Sequence, residues 1–375
     1  MKKALPAAVL CILLLLTGCA SMLERGYSSH TSHTDTSEAE DASALRAENY
    51  QELLECVMKL VRAHEPYGTI RLYNYTGVVD EDLAAACTAV RFRDPLGAYA
   101  VRAISCESTR ILTYYEVDAR IVYAHTAEAI AAMIPTDGLS ALQEQLRDMV
   151  EYQRSQRVLY LTGCDGSHQQ LTTLLRLAVY ADPASAAAHP AVSVSLYPES
   201  GSERVAELQL LWEKTAAERL EYAAQLAEVC DALLDRPEDG ETVWDVSTLG
   251  ALLSGALRYD PGGSEDPLEA LEGTAANDLG VLLAMEALCR RAGISAQPAT
   301  DHSASQLWLI VSTPSGFRHL LPRDLRPDPD RAEGWQLPLY TDEELTALGF
   351  AWDGALYPPC VDYSGASPAG SGRTE

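Results

Sequence analysis

Gly273-Thr274-Ala275-Ala276-Asn277-Asp278-Leu279-Gly280-Val281-Leu282-Leu283-Ala284-Met285-Glu286-Ala287-Leu288-Cys289-Arg290-Arg291-Ala292-Gly293-Ile294 reads as a glycine turn followed by one helix. Asn277 or Asp278 can cap its first turn with a side-chain oxygen, apolar residues cover nearly the whole circumference for about three turns, and two arginines face the negative end of the helix dipole. Gly293 supplies the stop. Upstream, Leu252 to Leu257 continues as a helix into a turn at Tyr259-Asp260. Downstream, Gln306 to Val311 and Gly316 to Leu321 have the apolar, β-branched character of strands.

This order resembles the transglutaminase-like superfamily, specifically bacterial surface proteins that carry such a domain: helix, Tyr-Asp, small-residue turn, buried helix ending Ala292-Gly293-Ile294, then a Trp-bearing strand and a second strand. The resemblance implies a catalytic cysteine at the start of the buried helix, a histidine at the start of the next strand and an aspartate at the end of the strand after it. Those positions fall on Asp278, Gln306 and Leu321, while the accompanying tryptophan and proline are kept as Trp308 and Pro322. The scaffold thus resembles the family and the triad does not. A carboxylate at position 278 suits a helix N-terminus but cannot replace a polarizable thiolate in acyl transfer. Cys289 lies eleven residues along the same helix, about 16 Å away, too deep to act as the nucleophile. Cys360, in Tyr357-Pro358-Pro359-Cys360, is the one thiol whose place the sequence does not constrain. With Trp308 and Trp352 it is a candidate for lining a groove, as Trp335 is.

Met1 to Cys19 has Lys2-Lys3, an apolar run from Ala4 to Leu16 and then Leu16-Thr17-Gly18-Cys19. The run falls short of the roughly 20 residues that span a bilayer, so it reads as a signal peptide. It is similar to a bacterial lipoprotein signal, which implies cleavage before Cys19 and lipidation of that thiol. Residues 20–47 are polar and without apolar period, and read as a flexible tether. The chain carries 54 acidic against 28 basic residues, a formal charge of −26. So acidic a surface disfavours nucleic acid and anionic headgroups as partners, leaving the lipid as the means of membrane attachment at the extracytoplasmic face.

Of nine cysteines, Cys11 and Cys19 fall in the signal, leaving an odd seven and no CxxC pair. Mostly free thiols are expected. Residues 48–212 read as two copies of one unit. The first has helix 50–63, strand 69–75, helix 80–90, Asp94-Pro95, and strands near 98–104 and 110–123. The second has helix 142–154, strand 158–161, helix 169–181, Asp182-Pro183, and strands near 191–197 and 204–212. Beyond a helix over 213–234, residues 323–333 read as a surface loop, and Thr341 caps a short helix with Glu344 completing a capping box.

The expected fold class is α+β: a signal peptide at 1–19, a tether at 20–47, α/β repeats at 48–125 and 126–212, a transglutaminase-like domain at 213–363 and a disordered tail from 364. No phosphate-binding loop, zinc, dinucleotide, nucleophile-elbow or calcium motif is present, so neither cofactor nor metal is expected. The functional expectation is a lipid-anchored module that binds a peptide, glycan or protein at the cell surface. The alternative is a cysteine hydrolase or transamidase acting on peptides or cell-wall crosslinks, with its triad in another register of these elements or with Cys360 as nucleophile.

Overall fold

The computed structural model describes residues 44–235, 244–328 and 336–362. The expected signal peptide, Cys19, most of the tether, Trp335 and the tail lie outside them. The described chain is a mixed α/β protein with several small sheets.

The first sheet has strand order β1-β2-β4-β3, formed by Leu45–Ala47, Tyr67–Tyr73, Val101–Ile111 (β3) and Tyr114–Tyr123 (β4). β1 runs parallel to β2, and the other pairs are antiparallel. Helices α1 (Tyr50–Arg62) and α2 (Val79–Phe92) contribute Leu53, Val57, Val61, Leu83, Ala86 and Val90 to a core with Ile70, Leu72 and Val117. Asn49 starts α1 by accepting from the Glu52 amide at 3.0 Å, while the Glu52 carboxylate accepts from the Glu48 amide at 2.8 Å.

Two expectations fail here for local reasons. Residues 45–47, read as tether, form β1, because Ala47 is fully buried beside β2 and three residues are too few to show a period. Ala98 to Ala100, read as strand, belong to the short helix α3 (Pro95–Ala100). Asp94 caps it by accepting from the Gly97 amide at 2.8 Å, and proline occupies the first turn, where its missing N–H costs nothing.

After α4 (Ala127–Ala131), the second sheet is ordered β5-β6-β8-β7: Ile134–Asp137, Gln156–Thr162, Ala191–Tyr197 (β7) and Glu203–Leu211 (β8). β5 is parallel to β6 and the remaining pairs are antiparallel, the same order and senses as in the first sheet. Helices α5 (Gly138–Glu151) and α6 (His168–Tyr180) bury Leu142, Leu146, Leu171 and Leu175 against it, and α7 (Pro183–Ala186) starts at the second Asp-Pro. The sequence reading missed the short β5 and α4.

That second core continues into the C-terminal elements as one apolar cluster from Leu142 to Leu337. Its contributors include α8 (Ala216–Leu234), α9 (Val246–Ala256), α10 (Pro267–Leu271) and α11 (Asp278–Arg291). Residues 280–289 of α11 are all buried, which explains why its sequence shows no polar face. Tyr259-Asp260, expected in a turn, lies within β9 (Arg258–Ser264), which pairs with β10 (Ala275–Ala276). Gly280 lets the first turn of α11 press against this strand, since a Cβ there would strike the Ser264 carbonyl.

A third sheet, β11-β12-β13, is antiparallel: Ala296–Thr300, Leu307–Thr313 (β12) and Gly316–Leu320. Leu309, Val311 and Leu320 join the α11 core, while Trp308, Ile310 and Leu321 face a second, smaller core on the opposite side. The expected loop after Leu321 begins as α12 (Pro322–Leu325), and the expected capping box at Thr341 and Glu344 opens α13 (Asp342–Ala347).

Candidate functional site

Asn277, not Asp278, caps α11: its Oδ1 accepts from the Leu279 amide at 3.0 Å and the Gly280 amide at 3.1 Å. Asp278 is therefore the first helical residue, with its carboxylate projecting from the positive end of the helix dipole. Arg326, just past α12, grips that carboxylate in a fork. Nη2 donates to Oδ1 at 2.7 Å and to Oδ2 at 2.8 Å, and Nε donates to Oδ1 at 3.1 Å. The guanidinium also sits 4.2 Å from the ring centre of Tyr259, a cation–π contact. Burial, then the charge of Asp278, pushes the Tyr259 hydroxyl above its ordinary value. Both members of the ion pair are well exposed, which limits its worth to about 1 kcal/mol at most.

Gln306 is held by Asp301. The Asp301 carboxylate accepts from the Ser305 and Gln306 amides, both at 2.8 Å, and from the hydroxyls of Ser303 and Ser305. Partial burial works to raise this carboxyl, but the hydrogen bonds from Ser303, Gln306 and Ser305 outweigh it and hold it at about 2. Leu321 is buried and presents only a hydrocarbon side chain.

Asp278, Gln306 and Leu321, distant in sequence, line one cavity of about 510 Å³ together with Tyr259, Arg326 and Phe350. Among the described residues no thiol or imidazole lines it. A larger cavity, about 610 Å³, lies between the Gly163–Gln170 stretch and Thr300–His302; none of the expected site residues among the described ones lines it.

Trp308, Trp352 and Cys360 do not line a groove in the way expected of them. Trp308 and Cys360 have no exposed surface, and the partly buried Trp352 stacks edge-on against Trp308 at 6.0 Å and His319 at 4.9 Å. They enclose a polar chain that the sequence reading did not assemble. Trp308 Nε1 donates to His319 Nδ1 at 3.0 Å, His319 Nε2 meets Asp342 Oδ1 at 2.8 Å, and the Cys360 amide donates to Asp342 Oδ2 at 3.0 Å.

The only sequence signal for this chain was strand parity. His319 lies directly opposite Ile310, so it shares a sheet face with Ile310 and Trp308. Asp342 could not be found that way, because it arrives from α13. Arg326 and Tyr259 were missed for a similar reason, each belonging to an element whose approach to α11 is set by tertiary packing.

His319, Asp342 and Cys360 place their ligand atoms within 4.8 Å of one another, close enough to suggest either a metal site or a catalytic triad. The hydrogen bonds argue against both. An indole N–H only donates, so His319 Nδ1 must carry the lone pair and Nε2 the proton, which it gives to Asp342. Neither nitrogen is then free to receive a proton from Cys360. A metal on Nε2 would force a proton onto Nδ1, pointing at the indole N–H. Burial lowers the tendency of His319 to protonate, against the pull of Asp342, and pushes the Cys360 thiol up to about 12. The cluster is a satisfied polar core.

No protein-family model matches the sequence, and a search of curated proteins returns no match.

Proposed function

We propose that this chain is a lipid-anchored extracytoplasmic protein whose C-terminal part has a transglutaminase-like arrangement emptied of its triad, and that it acts by binding a peptide, glycan or protein ligand. The observation that carries this reading is the convergence of Asp278, Gln306 and Leu321 on one cavity at the start of the buried helix. An enzyme of the family would hold its nucleophile, base and orienting carboxylate at those three places. Here a carboxylate bound by Arg326, an amide and an alkyl group occupy them, which supply no thiolate for acyl transfer and no imidazole to serve as its base. The remaining wall, with Tyr259, Leu279, Leu307 and Phe350 beside Asn277, Ser305 and Arg323, offers an apolar floor with a few polar groups, which suits ligand binding.

The same reading takes the two N-terminal sheet units as copies of one module. Their strand order, strand senses and Asp-Pro helix starts support this. The rival, a hydrolase built on Cys360, is disfavoured by the burial of that thiol and by the two engaged nitrogens of His319.

Attachment through Cys19 is tested by metabolic labelling with a fatty acid. Labelling is expected to vanish in Cys19→Ala, with the protein released or retained as precursor; equal labelling of wild type and variant would remove the anchor from the account. For the groove, assays of amide hydrolysis, transamidation and peptide cleavage on the wild-type chain are expected to give no turnover above background. Turnover that disappears in Cys360→Ser would favour the enzyme.

A further inference from the structure

Cys87 and Cys106 stand side by side in the first sheet unit, away from the groove. Cys87 is in the third turn of α2 and Cys106 in the middle of the edge strand β3, with their Sγ atoms 3.5 Å apart. Both are partly exposed, whereas Cys56, Cys164, Cys230, Cys289 and Cys360 are buried. About two turns earlier on α2, Asp80 Oδ1 accepts from Ser108 Oγ at 2.9 Å, so the register of helix over strand is fixed at a second point. Among the described residues no third histidine, cysteine or carboxylate completes a metal set with the two thiols.

We propose that Cys87 and Cys106 are an oxidisable dithiol site that closes into an intramolecular disulfide tying α2 to β3 when a disulfide oxidant is supplied. The sulfurs are already at van der Waals contact, and a bond of about 2.05 Å requires a further approach of about 1.5 Å, within reach of side-chain rotation in both residues. Exchange proceeds in two steps. The Cys87 thiolate attacks one sulfur of the oxidant disulfide, forming a mixed disulfide and expelling one thiolate. The Cys106 thiolate then attacks the Cys87 sulfur and expels the second. In balance, two protein thiols and one oxidant disulfide become one protein disulfide and two small thiols, the oxidant taking both electrons and both protons.

The order of attack follows from the shared proton. The hydrogen bond with Cys106 holds the Cys87 thiol below its ordinary value against the opposing effect of burial, while the same contact raises Cys106. Once Cys87 is in the mixed disulfide its charge is gone, and Cys106 ionises more readily.

The full chain, purified in reduced form, is exposed under native conditions to oxidised glutathione, alkylated in denaturant and mapped by mass spectrometry. The expected product is a peptide crosslinked through Cys87 and Cys106 and lacking two hydrogens, with the five buried cysteines alkylated and full reversal by dithiothreitol. Cys106→Ser is expected to stop at a glutathione adduct on Cys87, and Cys87→Ser to give no crosslink. A stable glutathione adduct on either thiol of the wild type, a crosslink through another described cysteine, or two unmodified thiols would each overturn the proposal.

Discussion

Glu286→Gln is expected to abolish a loss of stability that the wild type suffers as pH rises from about 5 to 8. Glu286 lies in the middle of α11, 3% exposed, and its Oε2 has no hydrogen-bond partner among the described residues. Burial pushes its carboxyl up to about 8; Arg290 opposes this and Asp182 adds to it. The folded chain therefore keeps a proton that the unfolded chain has lost above its ordinary value of 4.5. Stability from this group is whole below that value and drains away as pH rises through about 8, at up to about 1.4 kcal/mol per pH unit. The amide removes this titration, so the unfolding free energy of Glu286→Gln minus that of the wild type should grow across this window and reach several kcal/mol at pH 8. Parallel pH profiles for the two proteins would show that Glu286 ionises normally in the fold. Because Arg290 also donates to Asp182 at 3.3 Å and to the Ala181 carbonyl, the same turn of α11 anchors the helix to the second sheet unit.

His319→Leu is expected to destabilise the chain by about 2–3 kcal/mol. Leucine fills a similar volume but leaves the fully buried indole N–H of Trp308 without a partner, which costs about 1–3 kcal/mol, while the freed oxygen of the partly exposed Asp342 can turn to water and adds less. Asp342→Asn should cost less, roughly 1–2 kcal/mol, since an amide oxygen can still accept from His319 while the NH₂ faces the Cys360 amide. Chemical denaturation at neutral pH measures both. A loss below about 1 kcal/mol in His319→Leu would mean that the His319 ring contributes packing alone.

The fold was most legible where one physical signal ruled a long segment. The apolar circumference of residues 279–289 announces burial, and the capping pair Thr341 and Glu344 fixes the start of α13. Strand order is a different matter. Nothing in residues 45–47 or 134–137 shows that they add parallel strands, because such short pieces take their conformation from a neighbour's hydrogen bonds. The Asp-Pro pairs were visible as markers of the repeat but were not read as helix starts, although aspartate followed by proline is a common opening of a helical turn.

At the site, counting residues back from Ala292-Gly293-Ile294 and along two strands was enough to nominate three positions that face one cavity. The partners that decide their chemistry were not legible. Arg326 reaches Asp278 only because α12 turns the chain back toward α11, and Glu286, the one charged side chain between Leu279 and Cys289, was not weighed as a buried carboxyl although its apolar neighbours signalled one.

The central claim, a groove that keeps its shape and has lost its chemistry, is tested most directly by restoring all three groups at once with Asp278→Cys, Gln306→His and Leu321→Asp. Members of a triad act as a unit, so single replacements should do nothing. Amide turnover is measured for the wild type and the triple variant, along with the pH dependence of alkylation of the thiol introduced by Asp278→Cys. Circular dichroism verifies folding, and the Asp278→Cys, Gln306→His pair is substituted if the buried Leu321→Asp prevents it. The account predicts no turnover by the wild type, together with a new thiol that alkylates well below the ordinary cysteine pKa, lowered by the helix N-terminus and Arg326, and turnover gained only when the groups are combined. Turnover by the wild type, or a restored thiol no more reactive than an ordinary surface cysteine, would contradict it.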